Sequence, residues 1–359
     1  MNHQVKKTIL FFLIILSSFL ALYCCELYLN YHHFEINYPT SVFSNLGTNN
    51  IYKTDPSLIY IPIDNTKYRD PLKLKNSQKT NIAFIGDSVT WGIGAENDST
   101  YSQGFEKLYN QNSSHKKIIT NNFGLPGYNL DQEYILIKEK VLPEFQPDII
   151  VWNLNVNDIQ GSNYACLFTE KDHQWIQISA RQNLYYWYAT FKTLSSNFIS
   201  HSKLFHFFSY QLNQQVLPRM IKSNLTLGCS SLKITPTVQE KIVNKLDYFI
   251  KDLSAELQKK NVKLIITLVP YQQYLDKNSP KEQISSDYFV LKKYLNKNHS
   301  INFIDFNEFI PKSDNNLNPS EEYFLSDTLD NSEKGWHHPN QKNYNLMAST
   351  LYNYFLKMR

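Results

Sequence analysis

The stretch Asn81-Ile82-Ala83-Phe84-Ile85-Gly86-Asp87-Ser88-Val89-Thr90-Trp91-Gly92 decides how this chain folds. Ile82 to Ile85 is a short apolar run that reads as a buried strand, and Gly86 breaks it. A serine just past a strand's carboxyl end, on a tight turn, holds its hydroxyl over the sheet edge. Open α/β sheets place their ligand crevices there. The Gly-x-Ser-x-Gly turn of many hydrolases carries a second glycine, but Thr90 stands at that position here. Alone, Gly86-Asp87-Ser88 reads first as a turn of small polar residues. It becomes a nucleophile only in the company of a base and of donors for an oxyanion.

Outward from this point the apolar pattern alternates. Further strands are predicted at Lys117–Asn121, Asp148–Asn153, Val262–Val269 and Ile301–Phe306. Helical spacing covers Ser102–Tyr109, Asp131–Leu142, Val238–Lys260, Asp287–Asn298 and Gln341–Lys357. Five apolar strands alternating with helices predict an α/β fold: a doubly wound, flavodoxin-like, five-stranded parallel sheet with helices on both faces. This domain is expected over 81–359. Within it, residues 161–236 break the rhythm with Trp175, Tyr185, Tyr186, Trp187, Tyr188, Phe191, Phe205, Phe207, Phe208 and Tyr210. They read as a helical insertion with amphipathic helices near 183–198 and 203–221. The insertion either packs its aromatics on the domain or forms a lid or platform beside the site.

The 35–80 segment is polar, holds four prolines and lacks a sustained period, so it reads as a stalk or wrapping segment. Before it, Lys6 and Lys7 precede an apolar stretch from Ile9 to Cys25. This predicts an N-terminal transmembrane helix within 1–34, at the short end of what spans a bilayer. Small residues before a cut are missing at Tyr23-Cys24-Cys25, which favours an uncleaved signal anchor over a cleaved signal peptide or lipoprotein. The lysines would keep the start cytoplasmic and place the domain on the periplasmic or extracytoplasmic side.

Composition narrows the function classes. Of 359 residues, 42% are hydrophobic and 19% charged, which describes a globular chain. The formal charge of +4 is dispersed, with no basic stripe, so nucleic acid is not an expected partner. Cys166 and Cys229 lie in the exported part and read as a disulfide or as two buried thiols. Neither has metal-ligand spacing with a histidine, so no metal is expected.

The remaining chemistry sits at strand ends. After the second strand, Asn122-Phe123-Gly124-Leu125-Pro126-Gly127-Tyr128-Asn129 offers Gly127, which is either a plain turn glycine or a close-approach point with an inward N–H. After the third, Asn153-Leu154-Asn155-Val156-Asn157-Asp158 offers amide donors, or simply loop caps. Immediately before the last helix lies Asp327-Thr328-Leu329-Asp330-Asn331-Ser332-Glu333-Lys334-Gly335-Trp336-His337-His338-Pro339-Asn340. Pro339 fixes the backbone that carries the two histidines.

In these blocks the chain resembles the SGNH hydrolases of the GDSL type, over about residues 81–357. The resemblance implies Ser88 as nucleophile, with Gly127 N–H and the Asn157 side chain as oxyanion donors. His338 is the implied base, because Pro339-Asn340 follows it and Ala348 falls where the last helix carries a small residue. His337 is the runner-up. Two departures stand out: Asn155 replaces the family's glycine, and the Asp-x-x-His spacing fails because Lys334 and Gly335 occupy the acid positions. The orienting acid would then be Asp330, with Asp327 and Glu333 as alternatives. The expected activity is a serine esterase or O-acyltransferase acting on acyl groups of a cell-envelope glycan, without cofactor, working either alone or with a membrane partner that delivers acyl groups. A lipase or thioesterase, or a non-catalytic glycan-binding protein on the same fold, are the competing readings.

Overall fold

The computed structural model describes residues 3–31, 52–96, 98–112, 116–161, 166–172, 174–183, 236–270, 286–298, 301–311, 322–325 and 338–358, with single positions at 186, 187, 190, 202–204, 207 and 272. The chain opens with helix α1 (His3–Tyr31) and then a hairpin, β1 (Tyr52–Asp55) and β2 (Ile59–Pro62). Next come β3 (Thr80–Ile85), the one-turn helix α2 (Ser88–Trp91), α3 (Tyr101–Asn112) and β4 (Ile118–Asn122). They are followed by α4 (Leu130–Leu136), β5 (Ile149–Leu154), α5 (Val156–Gly161) and a second hairpin, β6 (Phe168–Lys171) with β7 (Gln174–Gln177). The chain ends with α6 (Pro236–Lys260), β8 (Lys263–Leu268), α7 (Ser286–Lys297), β9 (Asn302–Asp305) and α8 (Gln341–Lys357).

The central sheet has the order β4-β3-β5-β8-β9, and every neighbouring pair is parallel. This is the doubly wound arrangement expected from the sequence, with each of the five strands where the apolar runs place it. The period of two sorts side chains to the two faces. On β3, Ala83 and Ile85 join the core packed by α4, α6 and α7, while Ile82 and Phe84 join the core packed by α3 and α8. On β5, Ile150, Trp152 and Leu154 face the first layer and Val151 the second. The strand order reverses between β3 and β5, so the crevice at their carboxyl ends is the switch point of the fold.

Several features differ from or add to the sequence expectations. The helix expected over Asp131–Leu142 runs past α4 as a π-helical segment, Ile137–Phe145, which contains Pro143. Proline lacks the N–H that α-type bonding would need there. Residues 52–62 form a hairpin whose Tyr52, Leu58, Ile59, Tyr60 and Ile61 are buried in the main core. Within the insertion, the β6–β7 hairpin was not legible as strands, because Glu170, Lys171 and Gln174 break the apolar pattern. The two amphipathic helices expected there fall largely outside the described residues. Cys166 is a free, buried thiol that donates to the Phe168 carbonyl at 3.2 Å. Burial and the nearby Asp131 push it up to about 11. A disulfide through it is therefore not formed, and Cys229 lies outside the described residues.

The membrane span expected from Ile9–Cys25 is unsupported by the structure: among the described residues, no helix is long and apolar enough to cross a membrane. That part of the chain is helical as α1 and exposes Ile14, Leu16, Phe19, Leu20 and Leu22. Farther along α1, the Glu26 carboxylate accepts the Ser202 hydroxyl and the Lys203 and Leu204 N–H groups at 2.7–2.9 Å, joining the helix to the insertion.

Candidate active site

The site is built at the carboxyl ends of β3, β4 and β5. Gly86 leaves β3 at a point where no side chain fits: a Cβ would stand 2.2 Å from Thr90 Oγ1 and 2.9 Å from the Asn153 carbonyl oxygen. Asp87 then caps α2 by accepting the Val89 N–H at 2.9 Å. Ser88 is the first residue of that helix. Thr90, at the position of the missing glycine, locks the turn from below. Its hydroxyl contacts Tyr101 Oη at 3.2 Å and accepts Asn153 Nδ2 at 2.9 Å, while Asn153 Oδ1 accepts the Thr267 hydroxyl at 2.6 Å. This buried chain of hydrogen bonds ties α2 to α3, β5 and β8, and its satisfied polar groups give the turn one geometry.

The loop after β4 closes one side. Gly124 packs directly on α2, where a Cβ would meet Trp91 N at 2.2 Å and the Thr90 carbonyl carbon at 2.5 Å. Asn122 donates to the Thr90 carbonyl at 2.8 Å and accepts the Gly124 N–H, and Leu125 N–H bonds to the Gly86 carbonyl at 2.9 Å. Gly127 is exposed at the tip with φ +78°, a left-handed conformation that glycine adopts without strain. The first hairpin props this loop. Tyr60 donates to the Pro126 carbonyl at 2.6 Å and Tyr128 donates to the Tyr60 carbonyl at 2.5 Å. Motif reading missed Tyr60 and the packing role of Gly124. The four-residue apolar run Ile59–Pro62 was the only signal for the first, and nothing in the sequence marked the second.

Opposite lies His338. Its Nε2 is 2.9 Å from Ser88 Oγ, a hydrogen bond between residues 250 positions apart. The histidine sits on a clamped strip: its carbonyl accepts the Leu325 N–H, and Phe324 bridges Pro339. Asn340 caps α8 through the Asn343 N–H, and its own amide bonds to the Glu322 and Phe324 carbonyls. Ala348, singled out in the sequence, packs its Cβ against Gly104 and brings α8 close to α3. His337, Asp330, Asp327 and Glu333 lie outside the described residues.

The loop after β5 supplies the amides. Asn157 Nδ2 donates to Asp87 Oδ2 at 3.0 Å, and Asn155 Nδ2 reaches the same oxygen at 2.9 Å. That oxygen is also 3.5 Å from Ser88 Oγ. Asn155, in place of the usual glycine, is thus a structural part of the site. Asp158 accepts the Asn155 N–H at 2.5 Å and turns the loop. Burial holds the Asp158 carboxyl well above the usual range, with Glu133 and Asp87 adding to the effect. Burial likewise raises Glu133, which the Trp152 indole N–H only partly offsets at 2.8 Å. Among the described residues no group of His, Cys, Asp and Glu side chains could hold a metal ion.

The sequence-predicted residues Ser88, His338 and Asn157 therefore converge, with Gly127 at the tip of the adjoining loop. A hydroxyl in contact with an imidazole is the arrangement of a nucleophile and its base.

Chains of similar structure include a lipolytic G-D-S-L family protein from Veillonella parvula, at 15% identity, covering 77% of this chain and 98% of that one with a TM-score of 0.41. A catalytic mutant of Axe2, an acetylxylan esterase from Geobacillus stearothermophilus, is 14% identical, covers 79% and 95%, and has a TM-score of 0.43. LAE5, an alpha/beta hydrolase from the metagenome of Lake Arreo, Spain, is 14% identical, covers 76% and 93%, and has a TM-score of 0.42. No curated protein sequence matches the chain. The model of the GDSL-like lipase/acylhydrolase family matches residues 84–346, from the strand before Ser88 to the helix after His338. The chain belongs to that family and is an esterase-type hydrolase.

Proposed function

We propose that the chain is a serine esterase or O-acyltransferase that works through an acyl-enzyme on ester-linked acyl groups, acetyl first, of a cell-envelope glycan. The observation that carries this is the 2.9 Å contact between Ser88 Oγ and His338 Nε2. His338 takes the hydroxyl proton as Ser88 Oγ bonds to the ester carbonyl carbon. The oxyanion is held by N–H groups of Ser88 and Gly127 and by the Asn157 amide. As the ester C–O bond breaks, His338 returns the proton to the leaving alcohol. The acyl group then passes to water or to a sugar hydroxyl, with His338 deprotonating the acceptor. Asp330, or else Asp327 or Glu333, orients the imidazole in this scheme.

The glycan reading is supported by the aromatic content of the insertion, where Trp187 is 57% exposed and Tyr186 packs edge-on against it. Tethering at a membrane is supported by the lysines before Ile9–Cys25 and by the apolar side chains that α1 exposes. A membrane partner that delivers acyl groups belongs to the transferase form of this reading. Small acyl groups favour the glycan esterase, whereas rising activity with chain length favours a lipase or thioesterase.

The test is fluorophosphonate labelling of the full chain beside Ser88→Ala and His338→Ala, followed by release of acetate from acetylated polysaccharide. Labelling of the parent alone supports an activated serine. No labelling of a folded parent overturns the reading in favour of a non-catalytic glycan-binding protein.

A further inference from the structure

Beneath Ser88 three carboxyl groups are buried together: Asp87 after β3, Glu133 on α4 and Asp158 on α5, each 0% exposed. Among the described residues no lysine or arginine pairs with any of them. The one buried lysine or arginine among the described residues, Lys245, is held by Asp131 at 2.9 Å. Among the described residues, the other groups facing the cluster are the neutral hydroxyls of Tyr60 and Tyr101, the Trp152 indole and, across the Ser88 hydroxyl, the His338 imidazole. Three uncompensated negative charges in such a place would cost several kcal/mol each, on the order of the penalty for any unpaired buried ion.

The hydrogen bonds show which of the three differs. Asp87 accepts three N–H groups, from Val89, Asn155 and Asn157, the pattern of a carboxylate. Among the described residues, Glu133 and Asp158 each accept only one, at Glu133 Oε2 and Asp158 Oδ2. Their second oxygens, Glu133 Oε1 and Asp158 Oδ1, are buried without a donor, and so are the amide oxygens Asn155 Oδ1 and Asn157 Oδ1. These four orphan acceptors lie on two contacting elements, α4 and the segment from Asn155 into α5. Two protons, one on each acid, turn two of these acceptors into donors for the other two.

We infer that Glu133 and Asp158 are neutral carboxylic acids that serve as positioning residues. Their O–H groups satisfy the amide oxygens of Asn155 and Asn157 and so hold both amide nitrogens on Asp87, beside Ser88. An amide can otherwise flip, and a flipped Asn157 would turn an oxygen toward the oxyanion instead of an N–H. Asn155, the residue that replaces glycine, brings the second amide that this arrangement serves. The inference rests on the oxyanion role given to Asn157 above.

Glutamine at 133 and asparagine at 158 copy a neutral acid: one oxygen to accept the indole or backbone N–H, one N–H to donate. Infrared difference spectra of the full chain, parent minus Glu133→Gln and parent minus Asp158→Asn, should each show the carbonyl band of a protonated carboxylic acid at neutral pH, present in the parent and lost from the variant. On an activated acetyl ester, Glu133→Leu and Asp158→Ala should lower kcat by about tenfold, a part of the roughly hundredfold loss seen when an oxyanion donor is removed outright. Glu133→Gln and Asp158→Asn should recover most of that loss and raise the pH at which the alkaline limb falls. Absence of the carboxylic-acid band in the parent overturns the inference, as does a Gln variant no better than the Leu variant. The infrared result does not depend on turnover, so it stands or falls separately from the choice of substrate. If Glu133→Leu fails to fold, Glu133→Gln and the spectra still decide.

Discussion

Gly124→Ala is the sharpest test of how the loop after β4 and the helix that carries Ser88 are held together. A Cβ at this position would stand 2.2 Å from Trp91 N and 2.5 Å from the Thr90 carbonyl carbon. Both are backbone atoms of α2, so no side-chain rotation relieves the overlap. Restoring ordinary contact requires the loop and α2 to separate by about 1 Å, and a misplacement of that size can cost about a hundredfold in rate. Ser88 sits on the same rigid turn, so its 2.9 Å contact with His338 would lengthen or tilt. Overpacking of this kind typically destabilises by about 1–3 kcal/mol. The expectation is therefore a folded protein with a lowered Tm, with kcat/KM on p-nitrophenyl acetate down by about a hundredfold and fluorophosphonate labelling slowed in proportion. Gly124→Ser should behave alike, because the block is steric. A Gly124→Ala protein with parental Tm and kcat/KM within about twofold of the parent would refute the claim that this contact sets the site's geometry.

Other consequences follow from the supports around the site. Tyr60→Phe removes the 2.6 Å bond to the Pro126 carbonyl and should cost about 1–2 kcal/mol in denaturant unfolding, with a smaller drop in kcat than Gly124→Ala. Lys245→Met leaves Asp131 buried without its cation, and should cost about 3–5 kcal/mol. The double variant Lys245→Met with Asp131→Asn should recover part of that loss in the same assay. Stability should also fall as pH rises from the ordinary carboxyl range. Glu133 and Asp158 bind protons in the fold at pH values where the unfolded chain has released them, and the decline ends where the folded groups ionise. Each contributes up to about 1.4 kcal/mol per pH unit to that slope, so Glu133→Gln should flatten it in unfolding curves taken across the pH series.

Ile82–Ile85, Asp148–Asn153 and Val262–Val269 announced themselves because strands covered on both faces are continuous apolar runs, whatever their partners. The same locality made Gly86-Asp87-Ser88 and Asn157-Asp158 readable as strand-end loops. The preference for His338 over His337 comes from the family resemblance, whose last block sets Pro339-Asn340 and Ala348 in register with it. These features depend on a few neighbouring residues, and a sequence carries them whole.

Contacts between distant segments are of another kind. That Tyr60 supports Pro126, that Gly124 must be glycine because α2 lies against it, and that Asn155 and Asn157 share one oxygen of Asp87 depend on how strands far apart in the chain stack side by side. The hairpin at 168–177 escaped notice because its strands are half exposed and their polar residues erase the alternation. The protonation of Glu133 and Asp158 is the clearest case. A glutamate and an aspartate in sequence are ordinary surface residues, and only burial beside a third carboxyl group, with no cation among the described residues paired to any of them, changes what they are.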